Sequence, residues 1–129
     1  MAVISDVHLG HNNTPTASIC ENIIEEFLAN IHVAASDIIF ISGDFFDQLL
    51  NFSAPSSIDI IGIISIVLRY CHNRNIKLRV LKGTSTHDYD QSQHFVSIAK
   101  HLNIPLDLKY FNTLDIEYIP EWDINILYI

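Results

Sequence analysis

A chain of 129 residues is one domain's worth of sequence, long enough to bury a core. It is 49% hydrophobic and 17% charged, which argues against disorder. Its formal net charge of −8, from seven Lys+Arg against fifteen Asp+Glu, makes it a poor non-specific binder of nucleic acid unless bound cations offset that charge.

The chain opens without the basic-then-apolar pattern of a signal peptide. "AVIS" (residues 2–5) is a short apolar run, as expected of a strand buried on both faces. From 16 to 33, apolar residues at Ile19, Cys20, Ile23, Ile24, Phe27, Leu28 and Ile31 keep helical spacing. "DIIFIS" (37–42) reads as a second buried strand. A loop with Pro55 and two serines then leads into a helix over about 57–72, apolar nearly all round and therefore expected to be covered on more than one side. Its "IDIIGIISIVL", broken by Asp59, Gly62 and Ser65, is too short to span a bilayer. Cys20 and Cys71 sit in these apolar helices and read as free thiols of a reducing compartment, so a cytoplasmic protein without membrane contact is expected. "IKLRVLK" (76–82) is the third strand and "SQHFVSIAKHL" a shorter third helix. "DLKYF", "LDIEYI" and "INILYI" read as further strands, with "PEWD" a turn between the last two.

Strand–helix–strand–helix–strand predicts an α/β fold built on a βαβαβ layered sheet, with parallel core strands, right-handed crossovers and helices on both faces. In such sheets, functional groups gather just beyond the carboxyl ends of the strands. The three loops there are "SDVHLGH", "SGDFFDQ" and "KGTSTHDYDQ". Each carries an acid, two carry a histidine, and in two a glycine precedes the polar cluster, allowing a sharp turn and close backbone approach. Asp6 and His8, two apart, would point the same way from an extended segment. A carboxylate and an imidazole so placed can grip an ion with a preference for manganese, iron or zinc over calcium. Asp44 on the neighbouring loop could bridge two ions about 3.5–4 Å apart, the usual clamp for in-line attack at phosphorus. Asp90 and Gln91 read as turn and capping residues, Phe45 and Phe46 as packing, and His11 as a solvated loop histidine ahead of one that approaches a substrate phosphate.

Asp6-Val7-His8, Gly43-Asp44-Phe45-Phe46-Asp47 and Gly83…His87-Asp88, in that order at successive strand ends, resemble the motifs of the calcineurin-like metallophosphoesterase superfamily. "SDVHLG" and "GDFFD" look most like its SbcD-type DNA repair exonucleases. The resemblance implies a metal-dependent phosphodiesterase or nuclease with two divalent ions, manganese ahead of iron or zinc. Asp6 and His8 would hold the first ion and Asp44 both. His87 would act as acid or stabiliser at the leaving oxygen, supported by Asp88, while Asp47 would help hold its loop. It also implies a phosphoester substrate, DNA among the candidates, and an ATPase partner subunit. The third motif departs from the family's Gly-Asn-His-Asp: two residues are added and the metal-ligating asparagine is absent, so Thr86, Thr84 or a water would take its place at the second ion. No histidine follows His101, whereas the family completes its site with later histidines. The chain therefore reads as the amino-terminal part, 1–129, of a single metallophosphoesterase domain, incomplete at its carboxyl end and by itself a weak enzyme or none. Two other functions stand beside this one: a phosphatase of small molecules or phosphoproteins, and a degenerate, non-catalytic scaffold.

Overall fold

The computed structural model describes residues 1–51 and 53–129. Four parallel strands, β1 (Ala2–Ile4), β2 (Ile38–Ser42), β3 (Lys77–Leu81) and β4 (Leu108–Phe111), form one sheet in the order β1-β2-β3-β4. The α/β architecture is as the sequence predicts. The coverage of the sheet is not. Strand order that never reverses, joined by right-handed crossovers, puts every crossover on the same side. Accordingly α1 (Thr16–Asn22), α2 (Ile31–Ala34), α3 (Ser56–Arg74) and α4 (His94–His101) all serve one face, where Ile39, Ile41, Leu78 and Val80 pack with Ile60, Ile64, Leu68 and Phe95. Helices on both faces would need the order to turn back at a switch point.

The other face is covered by an antiparallel hairpin, β5 (Asp115–Ile119) and β6 (Ile124–Tyr128). Ile38, Phe40 and Phe111 meet Ile119 and Tyr128 there, with Phe111 stacked on Tyr128 at a centroid distance of 3.7 Å. This layer stops short of β1, an edge strand whose Val3 is exposed, so the expectation of a first strand buried on both faces is corrected. The helix expected over 16–33 is also interrupted: a π-helical turn at Ile23–Leu28 follows α1. Asn30 then adopts an extended backbone, and its Oδ1 accepts from His32 N–H at 2.9 Å to cap the restart as α2. The outer side of α3 is left uncovered, with Ile58, Ile61 and Ile66 exposed. No described helix is long and apolar enough to cross a membrane.

A charged clamp holds the hairpin to the sheet. Arg79 of β3 is fully buried and donates from Nε and Nη2, one edge of its guanidinium, to the two carboxylate oxygens of Glu117 of β5, at 2.7 and 2.8 Å. Its Nη1 also donates to the Asp107 carbonyl at 2.9 Å. Lys109 and the Tyr128 hydroxyl donate to the same carboxylate at 2.6 and 2.7 Å. Burial alone would raise the Glu117 pKa, but the donors outweigh it and bring it down to about 2. Lowered from an ordinary 4.5, the group contributes stability that is fully present above pH 4.5 and is lost as pH falls towards 2. Glu117→Gln should therefore cost about 3 kcal/mol near neutral pH, the scale for breaking a buried pair. In denaturant melts of both proteins, the gap between wild type and variant should shrink as pH is lowered from 7 to 3. A gap independent of pH would refute this account of the clamp.

Candidate metal centre

The site is built from the loops that follow β1, β2 and β3. The first two are spliced together by backbone: His8 N–H donates to the Asp44 carbonyl at 3.1 Å, Leu9 N–H to Phe45 at 2.8 Å, and Asp47 N–H to Leu9 at 3.0 Å. Leu9 and Phe46 form an isolated parallel bridge beyond the sheet. Leu9, Phe45 and Phe46 are buried, and Phe45 meets Phe95 of α4 edge-on at 5.0 Å. Apolar residues thus anchor loops whose intervening residues stay polar, and the two phenylalanines are packing residues.

Asp6, His8 and Asp44 come together, their ligand atoms within 4.8 Å of one another. The route differs from the one expected. Asp6 and His8 do not alternate along an extended segment; they lie at φ +53° and +51°, and Asp44 lies at φ +42°. Left-handed backbone disfavours residues with a Cβ, though Asp and His tolerate it better than most. Three such residues in one cluster concentrate backbone strain at the candidate site.

A second group of possible ligands, His8, Asp47 and His87, adjoins the first. Asp47 Oδ1 lies 2.9 Å from His8 Nδ1 and 3.5 Å from His87 Nδ1, and the Asp47 carbonyl is 3.0 Å from His87 Nδ1. Ionised carboxylates and carbonyls only accept, so each imidazole donates through Nδ1 and keeps Nε2 for a ligand or a proton. The rings stand edge to face, 5.1 Å apart. Orienting a ligand histidine through its far nitrogen is what carboxylates do around metal sites. Asp47, read from sequence as a holder of its own loop, therefore aligns both histidines. The Asp-x-x-Asp spacing names the residue but not its partners, which lie 39 and 40 positions away.

On the third loop, Thr84 rather than Thr86 meets Asp44. Thr84 N–H and Oγ1 lie 2.6 and 3.1 Å from Asp44 Oδ1, while Thr86 reaches only the Thr84 hydroxyl, at 3.4 Å. Asp88 takes a different place from the one expected. It is fully buried, its Oδ1 accepts from the Ser92 hydroxyl ahead of α4, and burial pushes its carboxyl above the usual range. Support for His87 comes from Asp47. Gln91 is a staple rather than a surface cap: it accepts from Leu50 N–H at 2.7 Å and donates to the Gln48 carbonyl at 2.9 Å, locking the second loop to the third.

Of these groups, His8, Asp47 and His87 line a cleft of about 470 Å³, together with His11 and Thr14 and with no Lys or Arg among the described lining residues. His11 Nδ1 accepts from Asn13 N–H at 3.2 Å, which leaves Nε2 as its donor. The oxygen and nitrogen donors of Asp6, His8 and Asp44 could hold a metal ion. For a second ion the chain offers the adjoining His8, Asp47 and His87, and besides them Asp44, whose Oδ1 already accepts from Thr84, and threonine hydroxyls. In comparisons with known proteins, no family model matches the chain, nor does any curated protein or solved structure.

Gly83 makes the loop contact possible. A Cβ there would overlap the carboxylate and backbone of Asp44. Gly83→Ala should accordingly push the third loop off Asp44, lowering Tm and weakening manganese binding at least tenfold by titration calorimetry. Unchanged affinity would mean that the close approach does not shape the site.

Proposed function

We propose that this chain carries metal ligands of a calcineurin-like metallophosphoesterase site, related in its motifs to SbcD-type nucleases, which hydrolyses a phosphodiester such as DNA. The observation that carries the reading is the meeting of Asp6, His8 and Asp44 beyond the carboxyl edge of a parallel sheet, beside an Asp47-oriented His87. The charge balance supports it. A cleft with Asp47 in its lining and no Lys or Arg among its described lining residues repels a phosphoester unless cations intervene. Divalent ions, manganese first, would supply that charge, neutralise the phosphoryl oxygens and activate water. Asp6, His8 and Asp44 would hold them. His87, its Nδ1–H engaged by Asp47, would hold or give a proton at Nε2 towards the leaving oxygen.

A scaffold without catalysis draws on one observation: the Thr84 N–H and hydroxyl already hold Asp44 Oδ1, one of the two oxygens that Asp44 would need to bridge two ions. Two variants separate the readings. Asp44→Asn removes a charged ligand, so bound manganese should be lost, and with it whatever hydrolysis of an activated aryl phosphodiester the wild-type chain shows. His87→Ala should keep metal content near wild type and lower the rate about 10²–10⁴-fold, the usual contribution of a positioned acid–base group. Loss of metal in His87→Ala would make His87 a ligand. A wild-type chain that binds no manganese would leave the scaffold standing.

A further inference from the structure

Behind the outer side of the helical layer, α1 and the π-helical turn diverge from α3 and leave a groove of about 580 Å³. Its floor is apolar, with Ile24, Ile58 and Ile66 all at least partly exposed. Cys20 sits between the helices, its Sγ 3.9 Å from the Asp59 carbonyl; burial, with the Asp59 charge, pushes the thiol up to about 11, so it is neutral and adds to the apolar floor. Both rims are acidic: Glu21 and Glu25, one turn apart, on one side and Asp59 on the other.

Gly62 points to an occupant. It lies inside α3, where glycine weakens a helix by about 1 kcal/mol relative to alanine. Nothing in the chain requires it: a Cβ there would meet no atom within 4 Å. The missing side chain instead notches the groove floor. A helix that gives up stability without an internal reason, beneath exposed isoleucines and a π-helical turn of the kind that gathers at functional sites, reads as a surface shaped from outside.

We infer that this groove docks an amphipathic helix of a partner protein, its apolar stripe on Ile24, Ile58 and Ile66 and its Lys or Arg flanks against Glu21, Glu25 and Asp59. Charge complementarity selects this occupant, because both rims repel an acidic helix. A second copy of this chain offers no match: at net charge −8, its longest helix, α3, carries only Arg69 and Arg74, both near its end.

The probe is an amidated 15-residue peptide of leucine and lysine with leucines at helical spacing, set against its leucine–glutamate counterpart by fluorescence anisotropy near physiological salt. The lysine peptide should bind and the glutamate peptide should not. Gly62→Leu, which fills the notch with a good helix former, should weaken binding at least tenfold while Tm stays level or rises. A merely structural glycine would not give that combination. Glu21→Gln with Glu25→Gln should also weaken binding about tenfold. Asp115→Asn with Asp123→Asn, the same charge change on the hairpin, should leave it intact. Failure of the lysine peptide to bind, insensitivity to Gly62→Leu, or equal loss from the hairpin pair would overturn the proposal. So would self-association of the chain that Gly62→Leu abolishes.

Discussion

The candidate site depends on one short splice of backbone. Between Leu9 and Phe46 the loops after β1 and β2 carry on the parallel pairing of their strands for one more bridge, fixed by three hydrogen bonds and three buried side chains. Because the anchors are apolar and the residues between them are not, the same few positions both insert into the core and project carboxylates and imidazoles from it. The left-handed turns at Asp6, His8 and Asp44 follow from this constraint. The chain must leave each strand, turn sharply and return to the splice within a few residues, and the energy for that comes from burying Leu9, Phe45 and Phe46.

The direction of winding sets everything else about the site's surroundings. A sheet that steps one way from β1 to β4 places three helical crossovers on one face, so the loops at the carboxyl edge all leave towards that face. The third loop can then close over Asp44, where Gly83 admits it, and Gln91 can fasten it to the second. The opposite face receives a hairpin in place of helices and needs a charged clamp as well as apolar contact, because Arg79 lies on the strand face that the hairpin covers.

The positions of the acids and histidines were legible because each follows a run of apolar residues ending in a polar loop, and a parallel sheet aligns such ends. Glycine before Asp44 and in the third loop signalled tight backbone, which Gly43 at φ +86° and the crowding at Gly83 bear out. What could not be read was which polar groups pair. Asp47 and Gln91 reach across roughly forty residues, and no local pattern records that. Asp88, next to His87, looked like its partner by proximity in sequence, yet a one-residue step in a tight turn was enough to send its side chain inward to Ser92. The three-residue β1 is too short for its alternation to show that Val3 stands on an open face. Arg79 and Glu117 each sit in an ordinary strand pattern and become a pair only when the hairpin folds back over the sheet.

That pair also divides the molecule into parts of unequal tenure. Among the described residues, the helical face shares twenty buried side chains in one cluster, whereas the hairpin face has five and the clamp. A layer so attached can lift away as a unit, exposing its amides to exchange, at less free energy than global unfolding. None of the loops around Asp6, Asp44 and His87 belongs to that layer. The residues that gather at the carboxyl edge would outlast its departure, so amide protection in β5 and β6 should be the first lost on warming or acidification while the spliced loops remain closed.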